Sequence, residues 1–392
     1  MNAGLQEILV LVAAAVVVAA LLVLLLRSRK PAEPQDDAYI RGLELWLAGD
    51  RTGAVDAMRQ AVDRDPGGVD PYLQLGNFLR RTGDARRAAA LHRSLAARAG
   101  LSEGKRQAVA LSLAEDLIAL ESWEEAGRIL TELQRRKPDD PRFWRARYQQ
   151  FQGAGDAAAA ADALKLAAKR LPPPDGDAFH RDLALFQLDR ALLAVRDGRG
   201  GDARKLVKDA LAHGADEARA AYVRGLAQLA DSKAEDAAET ITAGLLASPD
   251  QSELLLPVLQ KALLTTGHYE RSVPILESAC QAAEAPPSLW IALAMLHEKL
   301  GDRELAVRLL ESKADDPRLT LDAAAPFLRI LVHDLPDCDF KRVWLRLRAR
   351  TGPSAWHCEA CGTAIAERRW VCPSCRTVGR MSAGPAHAER PA

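Results

Sequence analysis

The chemistry this sequence could perform is concentrated in four cysteines. They fall in Trp356-His357-Cys358-Glu359-Ala360-Cys361-Gly362 and in Trp370-Val371-Cys372-Pro373-Ser374-Cys375-Arg376, a C-x2-C-x10-C-x2-C pattern. Two thiolates separated by two residues can ligate one ion from a tight turn, and two such turns complete a closed tetrahedral four-sulfur site. Cys358, Cys361, Cys372 and Cys375 are therefore the expected ligands of one metal ion, and both iron and zinc accept that donor set. Gly362 suits a left-handed residue after the second ligand, and Pro373 pre-sets the second turn. Backbone amides, with Arg368, Arg369 and Arg376 close by, are expected to ease the charge on sulfur.

Other readings of these residues are weaker. His357 would be a fifth donor to a filled site, so it reads as a neighbour of the ligands. Cys280 and Cys338 sit in apolar helical segments and read as core or cap thiols. Six cysteines in 392 residues do not make a disulfide scaffold. Neither C-x-x-C opens a helix in a βαβ pattern, as a thioredoxin-type pair would. The two turns look like a shortened rubredoxin or a zinc ribbon. An iron centre would make electron transfer the alternative role, but no flavin or dinucleotide site accompanies it. A structural or docking role is expected, with metal replacing the core that some 30 residues cannot build.

The rest of the chain offers no catalytic constellation. There is no P-loop, no G-x-G-x-x-G after a strand, no H-E-x-x-H and no G-x-S-x-G. The eight histidines are scattered, and His92, His268 and His297 occupy positions that packing or solvent explains. An enzyme is not expected. The 53 basic and 53 acidic side chains cancel, which argues against a general grip on nucleic acid.

The elements that must carry the cysteines are helical. Apolar residues make up 48% of the chain and aromatic residues only 5%, a gap filled largely by alanine, which favours closely packed helices over sandwiches and barrels. Gly49-Asp50, Gly83-Asp84, Gly155-Asp156 and Gly301-Asp302 recur as turns, followed by Ala54, Ala88, Ala160 and Ala306. This is the 34-residue tetratricopeptide pattern. Small-residue markers at Gly42, Gly76, Ala114, Tyr148, Ala191, Gly225, Gln260 and Ala294 place eight helical pairs, with tyrosine and glutamine as departures. Loops at Gly100–Gly104 and Leu171–Gly176 account for the two longer steps. The expected fold is all-α, a tetratricopeptide-repeat superhelix over 38–350 whose off-pattern residues 322–350 cap the stack. Its first helices should line a concave face. Asn77 and Arg80 in the second unit, and Arg145 and Gln149 in the fourth, are candidates there for holding a peptide backbone or a carboxylate.

Ile8–Leu26 carries no charge and is long enough to span a hydrocarbon core of ~30 Å. Arg27, Arg29 and Lys30 follow it, which the positive-inside rule places on the cytoplasmic side. A transmembrane anchor over 1–30 is expected, with a linker at 31–37, a metal module at 354–380 and a disordered tail at 381–392.

This order of parts resembles the lipopolysaccharide assembly protein B family of Gram-negative bacteria. The resemblance rests on Tyr72-Leu73-Gln74-Leu75-Gly76-Asn77-Phe78-Leu79-Arg80 with Gly83, His92 and Leu95, and on Cys358 to Arg376. It implies a single-pass inner-membrane adaptor without activity of its own, facing the cytoplasm. Such an adaptor would present the lipid A deacetylase to an FtsH-type protease and gather other lipopolysaccharide assembly proteins, with homo-oligomers an open question. Another tetratricopeptide scaffold, in secretion, pilus or cytochrome assembly, is the alternative.

Overall fold

A computed structural model describes residues 37–136, 138–282, 285–313, 355–365 and 369–384. The chain divides into two compact units, Met1–Pro138 and Asp139–Ala392.

The first unit holds three helical pairs: α1 (Asp37–Leu47) with α2 (Arg51–Arg64), α3 (Asp70–Arg81) with α4 (Ala85–Ala96), and α5 (Glu103–Ala119) with α6 (Trp123–Gln134). The second holds five. These are α7 (Pro141–Gly153) with α8 (Ala157–Arg170), α9 (Asp175–Arg196) with α10 (Gly200–Ala212), and α11 (Glu217–Ala230) with α12 (Ala234–Ala247). The last two are α13 (Ser252–Thr266) with α14 (Ser272–Cys280), and α15 (Pro287–Leu300) with α16 (Arg303–Glu311). Within each unit most helices pack on a sequence neighbour, and first helices also touch first helices: α3 on α5, α9 on α11, α11 on α13 and α13 on α15. The expected pairing is thus observed, with all eight markers on first helices.

The Gly-Asp turns show how the sequence builds each pair. Gly49, Gly83, Gly155 and Gly301 all have φ between +81° and +98°, where a Cβ would be strained. The aspartate that follows caps the next helix, with Asp50, Asp84 and Asp156 accepting from the amides of Gly53, Arg87 and Ala159. Ala54, Ala88, Ala160 and Ala306 are fully buried. At Gly76 a Cβ would lie 2.4 Å from His92 Nε2, and at Gly225 2.7 Å from Ile241, so the small residue sets how closely the helices approach.

His92 explains much of the sequence of the second helical pair. It is completely buried, with Nδ1 2.5 Å from Asp116 Oδ2 and Nε2 3.1 Å from the Leu73 carbonyl. Arg80 donates to Asp116 Oδ1 at 2.7 Å, to Glu115 Oε2 at 2.5 Å and to Asn77 Oδ1 at 3.1 Å. His297 is also buried, whereas His268 is exposed beside Glu270.

Three expectations need correction. The residues after Leu171 do not all form a loop: Asp175 and Gly176 belong to α9, which at 22 residues is longer than its counterparts. The segment from 381 is not uniformly a tail, because Met381–Gly384 forms a strand. Third, the fold was expected to include a transmembrane helix, and among the described residues no helix is long and apolar enough to cross a membrane. Even α9 carries Asp182, Asp189 and Arg190 along its length. The segment for which that helix was expected, 1–30, lies outside the described residues, as do the linker 31–36, Arg368, Cys338 and the capping residues 322–350. The single-pass inner-membrane placement depended on that helix, and no described helix supplies it.

Gly76→Ala should lower stability by about 1–3 kcal/mol, because the His92 ring has to move out of its bonded position. Chemical denaturation of the two proteins checks this, and an unchanged midpoint contradicts it.

Candidate metal centre and its seat on the helices

The tail folds as a three-stranded antiparallel sheet in the order β2-β1-β3, with β1 Ala355–Cys358, β2 Ala364–Ile365 and β3 Met381–Gly384. The sheet is too small to hold a core. What it positions is two turns with the same backbone bonds. The Gly362 amide donates to the Cys358 carbonyl and the Cys358 amide to the Thr363 carbonyl; Arg376 donates to Cys372 and Cys372 to Thr377 in the same way. The residue after each second cysteine is left-handed, Gly362 at φ +73° and Arg376 at φ +59°.

The four Sγ atoms lie within 4.8 Å of one another, and the Cys358–Cys375 and Cys361–Cys372 pairs are each 3.6 Å apart. A tetrahedral ion with bonds of about 2.3 Å would hold its sulfurs about 3.8 Å apart, so the set fits one zinc or iron ion. Cys358 and Cys372 are buried, and Cys361 and Cys375 are half-buried. Thr363 Oγ1 is 3.2 Å from Cys361 Sγ, and Thr377 Oγ1 is 3.3 Å from Cys375 Sγ. Burial pushes the Cys358 thiol up to about 12 and raises Cys372 too. At Cys361 burial acts in the same direction, but hydrogen bonds from Thr363 and the neighbouring sulfurs outweigh it and hold the thiol down to about 6. Loading an ion therefore displaces protons. His357 is not in the cluster, and its Nε2 lies 3.2 Å from Ser382 Oγ. Cys280 is half-buried against the helical core, and burial raises its thiol to about 11.

The second turn is seated on α9. Asp189 is 1% exposed, and its carboxylate receives the Arg369 guanidinium through two bonds, Nε to Oδ1 at 2.7 Å and Nη2 to Oδ2 at 2.6 Å. The Trp370 amide donates to the same Oδ1 at 3.1 Å and the Val371 amide at 3.4 Å. The Trp370 ring enters the core with Leu188, Ala191 and Val223, edge-on to Tyr222 at 6.4 Å. A buried carboxylate is tolerated only when its charge and lone pairs are met, and here the metal module meets them. Arg369, expected to ease the charge on sulfur, is thus committed to Asp189.

The other predicted residues have internal partners. Asn77 and Arg80 belong to the ion cluster with Glu115 and Asp116 in the first unit. Arg145 donates to Asp182 on α9 at 3.3 Å and lies over Phe179. Burial raises the Asp182 carboxyl, an effect that Arg145 opposes. Gln149 Nε2 reaches the Cys375 carbonyl at 3.5 Å, so it faces the metal module. Beside it Tyr148 is buried edge-on to Phe186, filling a marker position where a small residue is usual.

Asp189, Trp370, Thr363 and Thr377 were not singled out by sequence. The threonines carried a signal: both turns read C-x2-C-x-T. Asp189 carried a fainter one, an acid close to the apolar residues Phe186, Leu188, Ala191 and Leu192.

Cys358→Ser or Cys372→Ser should lose bound metal, read by elemental analysis of the purified chain, and acidification should release metal from the unaltered protein as protons take the thiolates. Asp189→Ala should speed hydrogen exchange at the Trp370 and Val371 amides while the amides of the first turn stay protected. Unchanged exchange at both residues would refute the seat. Arg369→Ala leaves Asp189 with its fork removed and should cost about 3–5 kcal/mol.

The Tetratricopeptide repeat family matches residues 188–252, which span the end of α9 through α12. Over 350 residues the chain is 22% identical to lipopolysaccharide assembly protein B of Escherichia coli strain K12, covering 86% of this chain and 87% of that one. The same protein from strains CFT073 and O157:H7 matches equally. Among solved structures, the APC/C hetero-tetramer Cut9-Hcn1 is 16% identical, with a TM-score of 0.29, over 77% of this chain and 57% of that one. A tetratricopeptide repeat protein from Parabacteroides merdae is 11% identical, also at TM-score 0.29, over 76% and 98%. The repeat fold belongs to a non-catalytic class, in keeping with a chain that is not an enzyme. The chain is a tetratricopeptide-repeat protein distantly related to lipopolysaccharide assembly protein B, with a four-cysteine cluster suited to a single iron or zinc ion.

Proposed function

We propose that this chain is a protein-binding scaffold for lipopolysaccharide assembly, built from tetratricopeptide repeats and stapled by one metal ion. The observation that carries this reading is the seat of the metal module on Asp189. An ion held by the four cysteines would have no open position, and the module spends its contacts on the helices, as a strut does and a catalytic centre does not. In the second unit the first helices α9, α11, α13 and α15 touch in succession, the arrangement from which repeat proteins build a surface to hold partners. The inner-membrane adaptor reading is not carried forward, since no described helix can cross a membrane. The partners to test first are the lipid A deacetylase, an FtsH-type protease and other lipopolysaccharide assembly proteins.

Photo-crosslinking groups placed one at a time on exposed first-helix positions of both units should capture lipopolysaccharide assembly proteins in cells. Capture of secretion, pilus or cytochrome-assembly components in their place would sink the assignment. Replacement of the ion by zinc or by iron should leave capture unchanged, whereas dependence on iron alone would indicate electron transfer.

A further inference from the structure

The segment Arg369-Trp370-Val371 meets the helices as a bound peptide would. One carboxylate, Asp189, receives the Arg369 guanidinium through two bonds and the consecutive amides of Trp370 and Val371. Bonds to main-chain amides recognise a backbone, while the fork and the buried indole select side chains. Val371 is buried along with Trp370. Gln149 on α7, Asp189 on α9 and Tyr222 on α11, which meet the module, all belong to first helices. These are the helices from which repeat proteins build a binding face.

The helices themselves do not satisfy Asp189. Among the described residues every bond of its carboxylate goes to the module, and the adjacent Arg190 donates to Gln187 instead. Asp116 in the first unit shows the contrast, because Arg80 and His92 meet that buried carboxylate from within the helices. Asp189 is thus an acceptor reserved for something laid on the array, and its burial favours any segment that brings the same donors. The face also extends past its occupant. Beside Arg369, the first helices α9, α11 and α13 form a groove of about 470 Å³ lined by Leu192, Val195, Tyr222 and Leu226, which the module walls on one side.

We propose that the Asp189 seat is a peptide-binding site of the repeat array, held in cis by the module, and that a partner protein takes it with an arginine followed by an aromatic residue. This deepens the scaffold reading and rests on it. The module is then an internal competitor. Its tether gives the cis segment an effective concentration of about a millimolar. Its own bonds also preshape that segment, with the Gly379 amide donating to the Trp370 carbonyl at 2.7 Å and Val371 bridging Val378. The apparent affinity for a partner is reduced to the fraction of chains whose seat is open.

The test uses the zinc-loaded full chain, unaltered and as Trp370→Ala, which withdraws the indole and loosens the cis segment. Fluorescent peptides carry arginine-tryptophan-valine, glutamate-tryptophan-valine or arginine-alanine-valine between identical flanks. The first peptide should bind Trp370→Ala about tenfold or more tightly than it binds the unaltered chain. The other two should bind Trp370→Ala about tenfold or more weakly than the first. Adding Asp189→Asn should abolish binding. Circular dichroism should show the same helical signal in all the chains. Where Trp370→Ala loses that signal, displacement in the unaltered chain decides: the arginine-tryptophan-valine peptide in excess should speed hydrogen exchange at the Trp370 and Val371 amides, and the glutamate peptide should not. Equal binding to both chains, equal binding of the three peptides, binding that survives Asp189→Asn, or exchange unmoved by the displacing peptide would overturn the proposal. Capture in cells is a separate readout. Failure of the peptides, with partners still captured from first-helix positions, would overturn the cis-held seat and leave the scaffold standing. Absence of any captured partner from every first-helix position would overturn the scaffold, and the partner proposed for the seat with it.

Discussion

A carboxylate removed from water is the constraint around which the second unit is arranged. Asp189 sits on the longest helix of the array, between apolar neighbours, where an unpaired charge would be expensive. Its charge is met by a residue 180 positions further along the chain. The Arg369 fork and two backbone amides complete it, and Trp370 follows into the core. The seat is therefore polar in its specificity and apolar in its burial. Removing either side strands the other, which makes the module part of the fold of this unit.

An ion on the four cysteines would fix the shape of that seat. Three short strands and two turns bury almost nothing by themselves, so the geometry of Arg369 and Trp370 has to be imposed by the ligands on either side. Four sulfurs within 4.8 Å are mutually repulsive as thiolates unless an ion neutralises them. A threonine beside each second cysteine tempers that charge, and the same backbone bonds recur in both turns. With an ion bound, the second turn would link the sulfurs to the helices through Arg369 and Trp370.

The first unit solves a comparable problem without metal. Asp116 is buried and faces His92 on one oxygen and Arg80 on the other, so the charge is met by side chains from α3 and α4. Gly76 makes this possible by leaving room for the imidazole. Arg80 and Asn77 were candidates for holding a foreign carboxylate; Arg80 holds two carboxylates of its own chain, and Asn77 accepts from its guanidinium. The contacts these side chains make are internal. Arg145 with Asp182 and Gln149 with the Cys375 carbonyl follow the same rule.

The sequence by itself determined the repeat unit and the ligand set. Gly-Asp turns, buried alanines and the 34-residue spacing are local requirements of backbone conformation and close helix approach, and these leave marks in one stretch of chain. C-x2-C does so too, because a tight turn must deliver both sulfurs. The three-way distinction among solvent-facing, partner-facing and internally paired polar residues was not legible. Asn77, Arg80, Arg145 and Gln149 look alike in sequence, and only distant residues tell them apart. The extension of α9 was hidden behind three prolines that read as a loop. The expected membrane helix finds no counterpart among the described helices, whose apolar faces are interrupted by the charges that repeat packing requires. Tertiary structure alone decided that the metal module sits on Asp189 and closes one wall of the groove. A buried ion pair depends on which groups meet in space, and chain separation conceals that meeting.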